Sequence, residues 1–249
     1  MGGFRPVVFM GHGLLVAMFF MCCAALAFIK ARYTRSSSPN LDYSIFAFLT
    51  VVLLLCKTVS AFIWLIAFFV TFYIARYIGS KILWALFFAF LAYPLLSILS
   101  LVPHESILEV VFSFSEEKYG SLKLRFMNEI QLLAHTQEKW FIGWGGWNRN
   151  RLHDSVTDGY WIIAYSKYGF FYFAAIFSLF IMPILHDQSH QTSVNKKVSD
   201  ATACLMIVLV FDQLINSSLG HSWLWFIAGL ISEVNRKNED NKKPISAND

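Results

Sequence analysis

Charge is what this sequence has least of. Asp, Glu, Lys and Arg make up 14% of its 249 residues, where a water-soluble chain carries nearer a quarter. That shortage excludes intrinsic disorder, a coiled coil and a soluble nucleic-acid binder, each of which needs far more charge, and no internal repeat supports a collagen or solenoid. Cysteine is equally uninformative as a framework. Cys22, Cys23, Cys56 and Cys204 all lie in apolar runs, so no disulfide scaffold or zinc spacing exists. The start Met1-Gly-Gly-Phe-Arg-Pro has neither a basic n-region nor a small-residue cleavage site, so the first apolar run is expected to stay as a membrane span.

Long apolar runs are what the sequence does have. Hydrophobic residues reach 57%, with 25 Phe among them, and uncharged stretches of about 20 residues match the length an α-helix needs to cross roughly 30 Å of hydrocarbon. The fold class expected is all-α: a polytopic transmembrane helix bundle of about seven spans, some short or broken, with one long helical loop. Residues 1–102 would hold spans one to four, 103–158 the loop, 159–232 spans five to seven and 233–249 a polar tail. The scattered Phe residues read as lipid-facing filler.

The first span is read over Val7–Ile29. Lys30, Arg32 and Arg35 follow it in a short loop and point to the cytoplasm by the positive-inside rule. Tyr43–Ala75 is too long for one crossing and slightly short for two. We read it as two short crossings broken near Lys57-Thr58-Val59-Ser60, which returns Arg76 and Lys81 to the side of the other short-loop cations; the alternative is one long tilted helix. A fourth span over Ile82–Leu101 then exits, a fifth over Tyr160–Leu185 returns, a short loop ends with Lys196-Lys197, and Ala201–Ser232 goes out and back through a break near Ser217-Ser218-Leu219-Gly220. Segment 103–158 lies outside. Within it, His104–Tyr119 and Ser121–Trp140 read as surface helices, the second with Ser121 as cap and Leu122, Phe126, Ile130 and Leu133 as its apolar face.

An ionisable group in or against the membrane is a candidate site by default. These groups are His12, Lys57, Asp158, Lys167 and Asp212, with Arg125, Arg149, Arg151 and His153 at the outer surface. Lys57 at a helix break either holds an anion or snorkels to the headgroups. Arg125 either presents its planar fork to phosphate oxygens or pairs with Glu129 one turn on, worth only about 0.3–0.5 kcal/mol if exposed. Asp158 either acts as a base or caps the fifth span. His153-Asp154-Ser155 has the letters of a triad, but adjacent side chains cannot make a triad's sequential hydrogen bonds. Gly143-Trp144-Gly145-Gly146 lacks the spacing of a nucleotide-binding loop and reads as a tight turn with interfacial tryptophans. Asp212 and Asn216, one turn apart, are expected to serve structure by hydrogen-bonding across helices.

The order of these features resembles a known family. Arg125 opens a surface helix, Gly143-Trp144-Gly145 follows, then Asp158-Gly159-Tyr160-Trp161, with Tyr168-Gly169 eleven residues beyond the aspartate. This is similar to the C-terminal half of the O-antigen ligase and polymerase family of bacterial membrane proteins. Phe4-Arg5-Pro6, Gly11-His12-Gly13 and Leu54–Ala61 look like further segments of it. Family members usually have ten to twelve spans, so the chain reads as a shortened or split member. Ligases carry a histidine where this chain has Asp158, which leans towards the polymerase-like members and leaves His153 as a candidate substitute.

The resemblance implies glycosyl transfer on the periplasmic face of the bacterial inner membrane, without metal or other cofactor. The donor would be a glycan on undecaprenyl diphosphate, the acceptor a hydroxyl of lipid A core or of another glycan, and no nucleic acid is involved. Arg125, Asp158, Lys57 and His153 would be the catalytic group. Arg149, Arg151, Trp140, Gly143, Gly145 and Tyr160 would bind substrate, and membrane lipid would surround the spans. The rim of Trp140, Trp144, Trp147 and Tyr160 either stacks on sugars or anchors at the interface. The rival readings are a polysaccharide or lipid transporter, with charges lining a path through the spans, and an inactive fragment of the same family.

Overall fold

Every element of the computed structural model is a helix among the residues it describes, which are 10, 12–33, 38–79, 81–151, 159–185, 193–217 and 229. They form α1 (Gly13–Tyr33), α2 (Pro39–Leu55), α3 (Val59–Ile78), α4 (Lys81–Ile98), α5 (His104–Phe114), α6 (Glu116–Gln137), α7 (Tyr160–Leu185) and α8 (Ser193–Ile215). Five are long and apolar enough to cross a membrane: α1, α3, α4, Tyr160–Leu179 of α7 and Lys196–Ile215 of α8. The protein is an all-helical membrane protein. At 17 residues α2 is shorter, about 25 Å at 1.5 Å per residue. The seventh expected span, beyond the Ser217–Gly220 break, lies outside the described residues, as do the polar tail, Phe4-Arg5-Pro6 and Gly11.

The chain divides into two units, residues 1–85, 180–209 and 221–249 in one and 86–179 with 210–220 in the other. In the first unit α1 packs on α2 and α3. His12 Nδ1 accepts the Leu14 N–H at 3.2 Å and so caps α1. Pro39 suits the opening turn of α2 because its missing N–H would have no intrahelical partner there. The expected break is present at Cys56–Thr58, with Lys57 in the left-handed region at φ 52°. Phe is more than filler here. Phe28 meets Phe46, Phe68, Phe69 and Phe72 at ring separations of 4.9–6.4 Å, and Phe68 and Phe72 are buried. Lys30 Nζ lies 2.9 Å from the carboxylate of buried Asp42, which sits in the first turn of α2 where the helix dipole favours an acid.

Two boundaries and one helix face differ from those expected. The two surface helices part at Ser115, in extended backbone, and run on through Gly120 and Ser121, so Ser121 caps nothing. Glu116 follows that break, at the end where the dipole rewards an acid. The buried stripe of α6 carries Glu129, Leu132, Leu133 and Thr136, whereas Ile130 is exposed. A run at 122, 126, 129, 133 and 136 is the truer helical spacing, and it passes through a carboxylate that an apolar count steps over. Lastly, α8 begins at Ser193, so Lys196 and Lys197 belong to its opening turns and not to a loop.

Candidate functional site

The second unit centres on the turn that follows α6. Residues 138–151 run back against α7 at a point where that helix is broken by Gly169 (φ 77°, ψ −177°). Breaking a helix frees carbonyls that would have accepted bonds from the next turn. The loop takes them: Trp144 N–H donates to Ser166 O at 2.9 Å and Gly145 N–H to Lys167 O at 2.8 Å, while Phe170 N–H donates to Trp140 O at 2.9 Å. Gly143 N–H closes on Lys139 O at 2.8 Å. The backbones approach so closely that only glycine fits. A Cβ on Gly143, itself at φ 77°, would lie 2.5 Å from Gly169 N, and one on Gly169 would strike the carbonyl of Phe141. Gly143-Trp144-Gly145 and Tyr168-Gly169, distant in sequence, are therefore one interlocked structure.

Side chains fasten the same turn. Asn150 is buried and donates through Nδ2 to Ser166 Oγ at 3.0 Å. Trp144 donates through Nε1 to His135 O at 2.9 Å, stacks on the His135 ring with centroids 4.1 Å apart, and carries Lys139 Nζ at 4.2 Å from its own ring centre. His135 Nε2 meets Arg149 O at 3.3 Å, so in the neutral ring this nitrogen is the protonated one. Arg149 Nε donates to Gly146 O at 3.2 Å. Its guanidinium lies over Gly145, where a Cβ would come within 3.0 Å, and Lys167 Cε comes within 3.9 Å of a Cβ on Gly146. The result is a Gly-Gly backbone overhung by Arg149 and Lys167, with Lys139 on the adjoining tryptophan.

This geometry decides several open readings. The amides of residues 143–145 are spent on protein carbonyls, so the glycine turn is no phosphate cradle; an anion here would be held by side chains. The tryptophans divide. Trp147 is almost fully exposed and Trp140 half exposed, with exposed Phe141 and Ile142 beside Trp140, a disposition that suits sugar stacking and interfacial anchoring alike. Trp144 is committed to His135 and Lys139. Tyr160 starts α7, donates its N–H to Asn216 O, and places its hydroxyl 3.3 Å from that of Tyr172. Its neighbour Gly159 is packed against Leu214 O.

Arg125 is exposed on α6. Glu129, one turn on, points inward and accepts from Tyr93 Oη at 3.0 Å and Ser97 Oγ at 2.9 Å; burial holds its carboxyl above the ordinary range, outweighing those two donors. Arg151 is exposed at the end of the turn. Lys57 is exposed in the first unit. His153, Asp154 and Asp158 lie outside the described residues. Asp212 accepts from Asn216 Nδ2, one turn on, at 2.6 Å. Among the described residues no group of three or more His, Cys, Asp or Glu is placed to hold a metal ion. His135, Lys139 and Asn150 were not singled out from sequence. The signal for them was weak, because a basic residue just past a surface helix is ordinary; only the fold brings them to the glycines.

No protein-family model, curated protein or solved structure matches the chain.

Proposed function

We propose that the protein is a membrane glycosyltransferase of the O-antigen ligase and polymerase type, moving a glycan from undecaprenyl diphosphate to a sugar hydroxyl on the periplasmic side. One observation carries this reading: Gly143 and Gly169 of its ordered motif meet in space, and Arg149 and Lys167 overhang the adjoining Gly145 and Gly146. In the transfer, the acceptor oxygen attacks the anomeric carbon, the carbon–oxygen bond to the diphosphate breaks, and the lipid diphosphate departs with the electron pair. Fixed cations at the departing oxygens stabilise the charge that develops there. Arg149, Lys167 and Lys139 have that role in this proposal, with Arg125 on the preceding helix a further phosphate ligand. Asp158 accepts the acceptor's proton. Glu129 is unsuited to that step, since both its oxygens already accept from Tyr93.

A transporter would need ionisable groups lining a path through several spans. Of the three carboxylate side chains that are buried among the described residues, Asp42 pairs with Lys30, Glu129 accepts from Tyr93 and Ser97, and Asp212 accepts from Asn216.

Complementation tests the proposal. The parent chain should restore surface polymer to a strain lacking its polymerase or ligase. Arg149→Gln, Lys167→Gln and Asp158→Asn should each lower the rate of polymer formation by about a hundredfold to a thousandfold, the range that removal of one charge-stabilising donor or a general base costs, while Gly120→Ala leaves it unchanged. Full polymer from all three variants would refute the site, and none from a stably inserted parent would refute the function.

A further inference from the structure

The first unit contains a cavity of about 680 Å³ that the transfer reaction does not use. It opens where the C-terminal ends of α1 and α3 meet the N-terminal ends of α4 and α8, and Arg76, Lys81, Lys196 and Lys197 line it together with Tyr33 and Asp200. Four cations against one carboxylate make it strongly basic. Arg76, Lys81 and Lys197 are exposed and Lys196 half-buried, so their heads rim the opening. Its apolar lining includes buried Phe72 and Cys204, with exposed Ile78 at the opening.

Two features say that the charge is there for a ligand. Lys81 is the first residue of α4, and Lys196 and Lys197 lie in the opening turns of α8. Cations at helix N-termini oppose the macrodipole, costing a few tenths of a kcal/mol each, whereas two helix N-termini and their lysines around one cavity form a site for an anion. A bare phosphate would occupy only a fraction of the volume, which falls within the roughly 300–1,000 Å³ of sites that enclose larger molecules. The second feature is Asp200, whose Oδ1 is buried and has no hydrogen-bond partner. A carboxylate among phosphate-binding cations repels phosphate but accepts well from a hydroxyl.

We propose that this cavity binds the headgroup of an anionic glycerophospholipid, its phosphate on Arg76, Lys81, Lys196 and Lys197, a headgroup hydroxyl on Asp200 and the start of an acyl chain along Phe72 and Ile78. Basic pockets between spans take such headgroups. The site stands apart from the proposed transfer reaction and does not depend on it.

The test is lipid retention by the purified full chain in neutral detergent, read by native mass spectrometry, with phosphatidylglycerol, phosphatidylcholine and inorganic phosphate as probes. Phosphatidylglycerol should be retained over phosphatidylcholine, and Lys196→Gln/Lys197→Gln should weaken it by about tenfold or more. Lys196→Arg/Lys197→Arg should keep it, as should Lys118→Gln/Lys123→Gln, which removes the same charge elsewhere. Should the Gln pair fail to fold, the lipid preference of the parent and the Arg pair still decides. Equal retention of both lipids by the parent, equal weakening by both Gln pairs, or displacement by millimolar inorganic phosphate would each overturn the assignment.

Discussion

Lys57 is held at φ 52°, a conformation that costs a non-glycine residue roughly 1–2 kcal/mol. This separates its two readings. If the ammonium is needed, Lys57→Gly gains thermal stability and loses function; if the residue only turns the chain, the same change gains stability and keeps function. The proposed site gives Lys57 no role, so the account predicts the second result, an upward shift of the unfolding midpoint with polymer in complementation unchanged. Glu129 offers a second test. Burial raises its carboxyl pKa above the ordinary 4.5, so the folded state holds its proton more tightly than the unfolded one. Stability from this group is therefore complete below the ordinary value and is lost as pH rises through the raised one. Glu129→Gln keeps a carbonyl for Tyr93 and Ser97 and cannot ionise. Melting curves across this interval should show the parent falling relative to the variant as pH rises; parallel curves would contradict the burial argument. Neither residue's setting could be read from its letter. The positive φ of Lys57 belongs to the end of α2, where its N–H closes on Leu54 O, and the inward carboxylate of Glu129 is imposed by Tyr93 and Ser97, more than thirty residues away.

At the scale of elements, the turn 138–151 and the break in α7 depend on each other. Gly143→Ala and Gly169→Ala each combine a left-handed backbone with a Cβ driven into main-chain atoms, and each should cost about 2–4 kcal/mol. Gly120 sits in α6 with open space around it, so Gly120→Ala should be neutral or gain up to about 1 kcal/mol. Unfolding midpoints of the three variants would check the contrast, and equal losses would refute it. Asn150→Ala should leave Ser166 Oγ without its donor and cost about 1–3 kcal/mol, seen as faster proteolysis within 138–151. The sequence marked these glycines only through a resemblance in their order and read Gly143–Gly146 as a tight turn; that Gly143 and Gly169 meet backbone to backbone was not legible, because nothing local shows which distant segments approach. The ends of helices were less legible. Ser121 looked like a cap by residue type, but Ser115 marks the break, and Lys196-Lys197 looked like a loop because cations are poor company for a helix start.

For the whole molecule, low charge and uncharged runs were enough to give an all-helical membrane protein, since about 20 apolar residues have few other uses. The break at Lys57 and the bounds of α7 were also readable, because run length fixes them. What sequence could not supply was which cations converge. Arg149 and Lys167 are separated by a loop and a helix turn, and Arg76 and Lys196 by more than a hundred residues, yet each pair shares one structure. Convergence of that kind comes from packing. The most direct measurement of the central claim is glycan transfer by the purified full chain in lipid vesicles, given a glycan on undecaprenyl diphosphate and a sugar-hydroxyl acceptor. The account predicts release of undecaprenyl diphosphate with matching growth of the acceptor, reduced about a hundredfold by Arg149→Gln and unchanged by Gly120→Ala. Folded, inserted protein that releases no more lipid diphosphate than empty vesicles would contradict it.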